Sequence, residues 1–177
     1  MTALARLPEP RIFAPERPRD LRLVEGLVAR AFGPGRFAKT AERLREHREP
    51  ILSLSFVAWC DGEAVGCVRL WAIAIGDTPA LLLGPIAVEE DWRSRGLGAD
   101  LVRRVVEAAT AAGHGVILLV GDAPFFGPLG FAAGPARDVR LPGPVDQRRV
   151  LVLALRPGAA DHLSGAVLAP PVVAKGA

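Results

Sequence analysis

A strand, a glycine-rich turn, an amphipathic helix and a short apolar strand follow one another along residues 81–120. The last of these, Val116–Val120, is wholly apolar and too short to form a helix. Such a run is typical of a buried strand in a parallel pair. The segment therefore predicts a βαβ unit, in which strand 81–88 and Val116–Val120 are joined by a helix that runs from the turn to about residue 112. No other feature of the chain restricts the fold as strongly.

The strand that opens this unit is also the third strand of an antiparallel meander. Residues 54–59 and about 64–75 are predicted strands, and Asp61-Gly62 between them is a strong two-residue hairpin signal. A second turn at 76–79 leads into strand 81–88. Pro85 has no amide to donate to a neighbouring strand, so Gly84-Pro85 predicts a local break in the pairing.

Helices and further short strands flank this region. Asp20 is placed to cap a helix that ends near Phe32, and Thr40 opens a second, short and highly charged helix that Pro50 ends. Short strands are also predicted near 139–141 and 149–155. We expect one domain over residues 18–155. An extension, 1–17, with a short edge strand at 11–13, precedes it, and a tail, 156–177, follows it.

Composition excludes several classes of protein. Of the 177 residues, 50% are apolar and 23% are charged, which is enough to build a core. The formal net charge of +3 is too small to indicate a surface for nucleic acid. No apolar run reaches the length of a membrane span, and the N-terminal residues lack the apolar core of a signal peptide. We therefore expect a cytoplasmic protein that binds neither nucleic acid nor membrane.

The two cysteines flank the hairpin turn and are not expected to form a disulfide. In the simplest register Cys60 pairs with Glu63 and Cys67 pairs with Phe56, so the sulfur atoms do not face each other. Neither cysteine has a histidine partner visible in the sequence, which disfavours a role as an acyl carrier.

The glycine-rich turn has the properties of an anion site. Gly96 and Gly98 lie where a strand passes into a helix, so the first free N–H groups of that helix can approach a ligand closely. The helix dipole and the side chains of Arg93 and Arg95 add positive charge, which favours a phosphate or diphosphate. The turn matches neither a Walker loop nor G-x-G-x-x-G, and a plain glycine-rich turn is the alternative interpretation.

Three motifs in this order resemble the GNAT superfamily of acyl-CoA-dependent N-acetyltransferases. They are residues 83–88, residues 93–99 and the aromatic turn at 125–131. The resemblance covers roughly residues 18–155. Within the superfamily, the chain resembles a branch of predicted bacterial acetyltransferases whose substrates are unassigned. The resemblance implies an α/β (α+β) fold with a mixed, mostly antiparallel central sheet, a βαβ core that binds acyl-CoA, and helices on both faces.

The resemblance also implies which residues bind acetyl-CoA, with no metal involved. Backbone N–H groups of the turn would hold the diphosphate, and the strand before it would pair with the pantetheine arm. The bulged strand would diverge from its parallel neighbour and leave a gap for the thioester, whose carbonyl would accept an N–H near Val88. The implied residues are Ile86, Ala87, Val88, Arg93, Ser94, Arg95, Gly96, Leu97, Gly98 and Ala99.

The resemblance also implies a catalytic position at which this chain departs from the family. Family members commonly have a tyrosine in the aromatic turn that protonates the departing thiolate, but the matching residue is Phe126 and the chain contains no tyrosine. Asp122 is the best-placed candidate for a general base, with a turn or cap residue as the alternative. Trp71, on the long strand, is interpreted as a core residue or as part of the acceptor cleft.

The leading hypothesis is an enzyme that moves acetyl from acetyl-CoA to a primary amine of an unidentified small-molecule or peptide acceptor by direct attack. A non-catalytic acyl-CoA-binding sensor or partner domain is the alternative, because Phe126 cannot donate a proton. A nucleotide-binding regulator that uses the same turn is a third hypothesis. The acceptor is expected to contact residues 21–50, 71–78 and the stretch after 131, and the protein to be a monomer or homodimer.

Overall fold

The computed structural model describes residues 11–35 and 40–170. The residues of the predicted extension and tail that lie outside these ranges are not described. The regular elements, in chain order, are β1 (Ile12–Pro15), α1 (Leu21–Phe32), α2 (Thr40–Arg43), β2 (Phe56–Cys60), β3 (Glu63–Ile75), β4 (Thr78–Val88), α3 (Leu97–Ala111), β5 (Val116–Val120), α4 (Ala123–Phe126), β6 (Asp138–Arg140), β7 (Val150–Ala154) and β8 (Ser164–Leu168).

The central sheet has the strand order β1-β2-β3-β4-β5-β7, with β8 paired to β3 and to β6. Along this order every pair is antiparallel except β4 and β5, which are parallel and are joined through α3. The predicted mixed, mostly antiparallel sheet with a βαβ unit is thereby confirmed. The predicted helix between Thr40 and Pro50 is shorter than expected, because regular α-helix ends at Arg43.

Helices cover both faces of the sheet, as predicted. Leu101 and Val105 of α3 share one core cluster with Ala58. Val24 and Leu27 of α1 share another with Val57. Because neighbouring residues of a strand point to opposite faces, Val57 and Ala58 place the two helices on opposite sides of β2.

The predicted break in pairing is a β-bulge in β4. Val68 pairs with Ile86 whereas Leu70 pairs with Leu83, so β4 has one residue more than β3 at this point. The extra length falls at Gly84-Pro85, as the missing proline donor indicated. On its other side β4 pairs with β5 only at Leu81 and Leu82, and the two strands diverge beyond that pair.

The predicted register of the first hairpin is wrong at one cysteine. Cys60 does pair with Glu63, but a second irregularity between Ala58 and Trp59 shifts the register, and Cys67 lies opposite Val57 rather than Phe56. Both cysteines are buried thiols that form no disulfide with each other, as expected.

The sheet extends beyond residues 18–155 at both ends. Strand β1, predicted at 11–13 and found at Ile12–Pro15, pairs with β2 along its whole length. Strand β8, which was not predicted, lies in the expected tail and pairs with Ala74 and Ile75 of β3. The domain limits themselves stay a prediction. In the described part of the chain, no helix has the length and apolar character that crossing a membrane requires.

Candidate functional site

The divergence of β4 from β5 leaves main-chain groups of β4 without a strand partner. The Glu89 amide donates to the Val65 carbonyl at 3.0 Å, so Ala87, two residues earlier, faces β3 in the same way. The alternation of an antiparallel pair then directs the N–H and C=O groups of Ile86 and Val88 away from β3. These groups lie on the side of β4 from which β5 has departed, where an extended ligand can pair with them.

The glycine-rich turn lies beside Ile86 and Val88 and leads into α3. Ser94 and Gly96 have φ values of 59° and 79°, in the left-handed region, and α3 begins at Leu97. The first backbone bond of the helix runs from the Asp100 amide to the Gly96 carbonyl at 3.0 Å. Amides before Asp100 have no partner within the helix and are available to an anion.

A cavity of about 410 Å³ lies between this turn and the free edge of β4. We call it the turn cavity. Eight of the ten residues implied for coenzyme binding line it; they are Ile86, Val88, Arg93, Ser94, Gly96, Leu97, Gly98 and Ala99. Trp92 and Phe125 also line it, although the sequence assigned neither of them a coenzyme-binding role. A Cβ at Gly98 would lie 3.4 Å from the ring of Phe125, at ordinary van der Waals distance.

Two of the implied residues do not line the turn cavity. The side chain of Ala87 is 1% exposed and packs under α1, so only its main chain belongs to the strand in question. Arg95 lies over the Trp92 ring at 5.5 Å instead of facing the cavity. Arg93 lines the cavity, and its Nε donates to the Val88 carbonyl at 3.2 Å.

A second cavity, of about 450 Å³, opens where β4 and β5 diverge. We call it the bulge cavity, because Gly84 and Pro85 form part of its wall. Its other apolar walls come from α1, β5 and the segment before β7, and its charged lining residues are Glu42, Arg45, Asp122, Asp146 and Arg149. Phe32, Ile86 and Phe126 line both cavities, so the two meet at these side chains.

Phe126 lies at this junction on α4. Its ring contacts Phe125 and Phe131 edge to face, with centroids 4.8 and 5.8 Å apart. The neighbouring Gly121 leaves room for it, since a Cβ there would lie 2.3 Å from the Phe126 ring. The sequence therefore identified a residue at the meeting point of the two cavities, and its side chain has no proton to donate.

Asp122 lines the bulge cavity, but its side chain is 74% exposed and forms an ion pair with Arg149 at 3.2 Å. A second carboxylate, Glu42, lines the same cavity and is only 22% exposed, with Arg45 Nη1 at 3.2 Å from its Oε2. The sequence did not single out Glu42, because it lies among many charges between residues 40 and 50.

Arg45 was also missed, for the same reason. Burial lowers the pKa of its guanidinium, although the neighbouring Glu42 opposes that shift. Its Nε is buried without a hydrogen-bond partner among the residues that the structure describes. A Cβ at Gly84 would lie 2.8 Å from its Nη2, which places the guanidinium directly over the bulge.

Trp71 is a core residue and not part of a cleft wall. It is 6% exposed and lines neither cavity. Its Nε1 donates to the Gly84 carbonyl at 2.6 Å. The side chain therefore fixes the bulge from within the core.

A comparison with models of protein families gives a result that agrees with the fold and with the three motifs. Residues 52–133 match the model of the acetyltransferase (GNAT) domain. This match confirms the resemblance to the GNAT acetyltransferases that was seen in the sequence.

Curated relatives support this assignment over most of the chain. The chain is 27% identical over 155 residues to the uncharacterised N-acetyltransferase YhbS of Escherichia coli (strain K12), covering 86% of this chain and 92% of that protein. It is also 29% identical over 116 residues to the uncharacterised N-acetyltransferase YjhQ of the same strain, covering 63% of this chain and 62% of YjhQ.

Solved structures share the fold. The crystal structure of YhbS from Escherichia coli in complex with CoA superposes with a TM-score of 0.78, at 24% identity, over 92% of this chain and 91% of that one. A GNAT family acetyltransferase from Brucella melitensis in complex with acetyl-CoA superposes with a TM-score of 0.66, also at 24% identity, over 90% and 96% of the two chains.

Proposed function

We propose that this protein transfers the acetyl group of acetyl-CoA to a primary amine of a small-molecule or peptide acceptor by direct attack. The observation that carries the proposal is the meeting of two cavities at Phe32, Ile86 and Phe126. Direct transfer needs one site for the donor and one for the acceptor, with the reacting atoms brought together where the sites join. The bulge that separates β4 from β5 provides that geometry.

The turn cavity suits the donor. Unpaired amides of residues 94–99 and the start of α3 would bind the diphosphate, with Arg93 beside them. The main-chain groups of Ile86 and the amide of Val88, which have no strand partner, would pair with the amides of the pantetheine arm. Acetyl-CoA supplies an activated thioester when it is bound. The complexes of the two related structures with CoA and acetyl-CoA support this assignment.

The bulge cavity would hold the acceptor. A neutral amine would attack the thioester carbon, forming a C–N bond as the C–S bond breaks and the thiolate leaves. A main-chain N–H near Val88 would stabilise the oxyanion. Asp122 is exposed and ion-paired, whereas Glu42 is the more enclosed carboxylate; either would have to accept the proton of the amine.

Phe126 favours one alternative, a domain that binds acyl-CoA without catalysis, because no proton donor stands at that position. A thiol has a reference pKa near 8.5, so the leaving group departs without strong acid assistance and catalysis is weakened rather than abolished. The homodimer or monomer state and the cytoplasmic location stay predictions.

The test measures release of free CoA from acetyl-CoA with a panel of amines and peptides, using a thiol reagent. Both cysteines of the protein are buried, which keeps the background low. Amine-dependent thiol release is expected. Coenzyme binding without thiol release across the panel would favour the binding domain, and tighter binding of ATP or GTP than of CoA would favour the nucleotide-binding regulator.

A further inference from the structure

The guanidinium of Arg45 is enclosed in the bulge cavity with most of its donors unused. It has one hydrogen bond, from Nη1 to Glu42 Oε2 at 3.2 Å, among the residues that the structure describes. Its side chain is only 12% exposed. A buried guanidinium with unused donors is costly, and that cost falls when an anion takes up the donors.

The free end of this guanidinium points to the acceptor side of the site. Nη2 lies against Gly84, at the bulge where β4 leaves β5. Among the described residues, the Gly84 carbonyl accepts a hydrogen bond from Trp71 Nε1 and none from this nitrogen. Glu42 holds the other side of the guanidinium, three residues earlier in the chain, and so fixes its orientation.

The remaining charges of the bulge cavity indicate which anion fits. Among the described lining residues, the carboxylates are Glu42, Asp122 and Asp146 and the guanidiniums are Arg45 and Arg149. The three carboxylates are already ion-paired, Glu42 with Arg45, Asp122 with Arg149 and Asp146 with Arg148, and these pairs leave no surplus of positive charge for a dianion such as a phosphate monoester. They tolerate a monoanionic carboxylate, above all on a molecule that also bears an ammonium group.

We propose that the acceptor is a small primary amine that also bears a carboxylate, as an amino acid does, and that Arg45 binds this carboxylate. The inference rests on the proposed function, because it assigns the bulge cavity to the acceptor. The apolar walls of a cavity of about 450 Å³ would enclose the carbon skeleton between the two polar groups. Arg45 is thus a specificity-determining residue.

The test compares acceptors that differ only in the carboxylate. L-leucine is assayed beside L-leucinamide, and 6-aminohexanoate beside hexylamine, with wild type, Arg45→Met and Arg45→Lys. Arg19→Met is the matched control, since Arg19 is an exposed arginine that precedes α1 and lines neither cavity. Calorimetry of each acceptor with the CoA-loaded protein gives a second readout that needs no turnover.

Wild type is expected to prefer the carboxylates over their partners. Arg45→Met should raise the KM or Kd of the carboxylates by about 10- to 100-fold, with little change for the uncharged partners. Arg45→Lys should keep part of the preference, and Arg19→Met should match wild type. An equal loss for both members of each pair, or no preference in wild type by either readout, overturns the proposal. Absence of turnover with retained carboxylate binding counts against the proposed function alone.

Discussion

At the scale of single residues, Phe126 decides how the proposed reaction would proceed. Its ring separates the turn cavity from the bulge cavity and is held edge to face by Phe125 and Phe131. A phenyl ring at this point adds an apolar surface to both cavities, but it cannot protonate a leaving thiolate. The chain would therefore depend on positioning of the two reactants and on the low basicity of a thiolate.

Phe126→Tyr should raise the rate of thiol release. The new hydroxyl adds a proton donor to an aromatic ring of nearly the same shape, and we expect a gain of about tenfold, below the range of 10²–10⁴ typical of general acids, because a thiolate leaves readily. Steady-state kinetics with the best acceptor of the panel give the comparison. Phe125→Tyr, in the same short helix, is the control and should not reproduce the gain.

Cys67 should make the free energy of unfolding depend on pH. Burial raises the pKa of its thiol to about 12, above the reference value of 9.0. Between these two values the unfolded chain loses the thiol proton and the native chain keeps it, so the contribution of this group to the free energy of unfolding falls as pH rises. From pH 8 to pH 10 the loss should be about 1.4 kcal/mol.

Urea unfolding of wild type and Cys67→Ala at both pH values measures this term. The difference in the free energy of unfolding between the two proteins should shrink as pH rises, because only wild type carries the thiol. If the free energy of unfolding changed equally with pH in the two proteins, the burial of Cys67 would not raise the pKa of its thiol, and the prediction would be wrong.

At the scale of elements, the bulge in β4 is the feature on which the site depends. It lets β4 diverge from β5, and Trp71 holds it through the hydrogen bond from Nε1 to the Gly84 carbonyl. Trp71→Phe keeps an aromatic ring but leaves that buried carbonyl unsatisfied. It should lower the free energy of unfolding by about 1–3 kcal/mol. It should also weaken acceptor binding, since Gly84 lines the bulge cavity.

Denaturant unfolding and acceptor KM, measured on Trp71→Phe beside Trp59→Phe, check both effects. Trp59 is half-buried, lies on β2 and lines neither cavity. Equal free energies of unfolding and equal acceptor KM values for the two variants would contradict the proposal that Trp71 stabilises the bulge.

The elements also show what a single sequence can reveal. Pro85 marks the bulge because a missing donor is visible in the sequence, and Val116–Val120 marks the parallel strand because its apolar run is short. The irregularity between Ala58 and Trp59 has no such signal, so the register of Cys67 was wrong by one residue. Strand β8 was missed because its pairing partners, β3 and β6, are distant in the chain.

The turn cavity and the bulge cavity also differ in how many of their residues the sequence could predict. Most residues that line the turn cavity lie within 86–99 and are local in the chain, and eight of them were named from sequence. The bulge cavity collects side chains from α1, α2, β4, β5 and the segment before β7. Arg45 and its partner Glu42 become recognisable only when the fold brings Arg45 over Gly84, so their chemistry could not be predicted from spacing.

At the scale of the whole molecule, a buried ion pair ties the N-terminal segment to the centre of the sheet. Arg69 Nε donates to Glu16 Oε2 at 2.8 Å, and the side chains are 8% and 1% exposed. Arg69 lies on β3 opposite the bulge, between Val68 and Leu70. The pair therefore joins the strand β1 region to the part of the sheet that carries the site.

Glu16→Gln should lower the free energy of unfolding by about 3 kcal/mol, because it leaves the buried Arg69 without a counter-charge. Thermal or urea unfolding measures the loss. Glu63→Gln, at an exposed position in the first hairpin, is the control and should change stability by less than about 0.5 kcal/mol. A Glu16→Gln protein as stable as the control would show that the pair contributes nothing net.

The central claim is that the turn before α3 binds the diphosphate of a coenzyme, and calorimetry with CoA tests it most directly. Wild type should bind one CoA with measurable heat. Gly98→Glu should abolish that heat, because its carboxylate would enter the turn cavity and repel the diphosphate. Gly134→Glu, where a Cβ meets nothing within 4 Å and which lines neither cavity, should bind as wild type does. Absence of heat with wild type, or CoA binding by Gly98→Glu equal to that of wild type, would contradict the account.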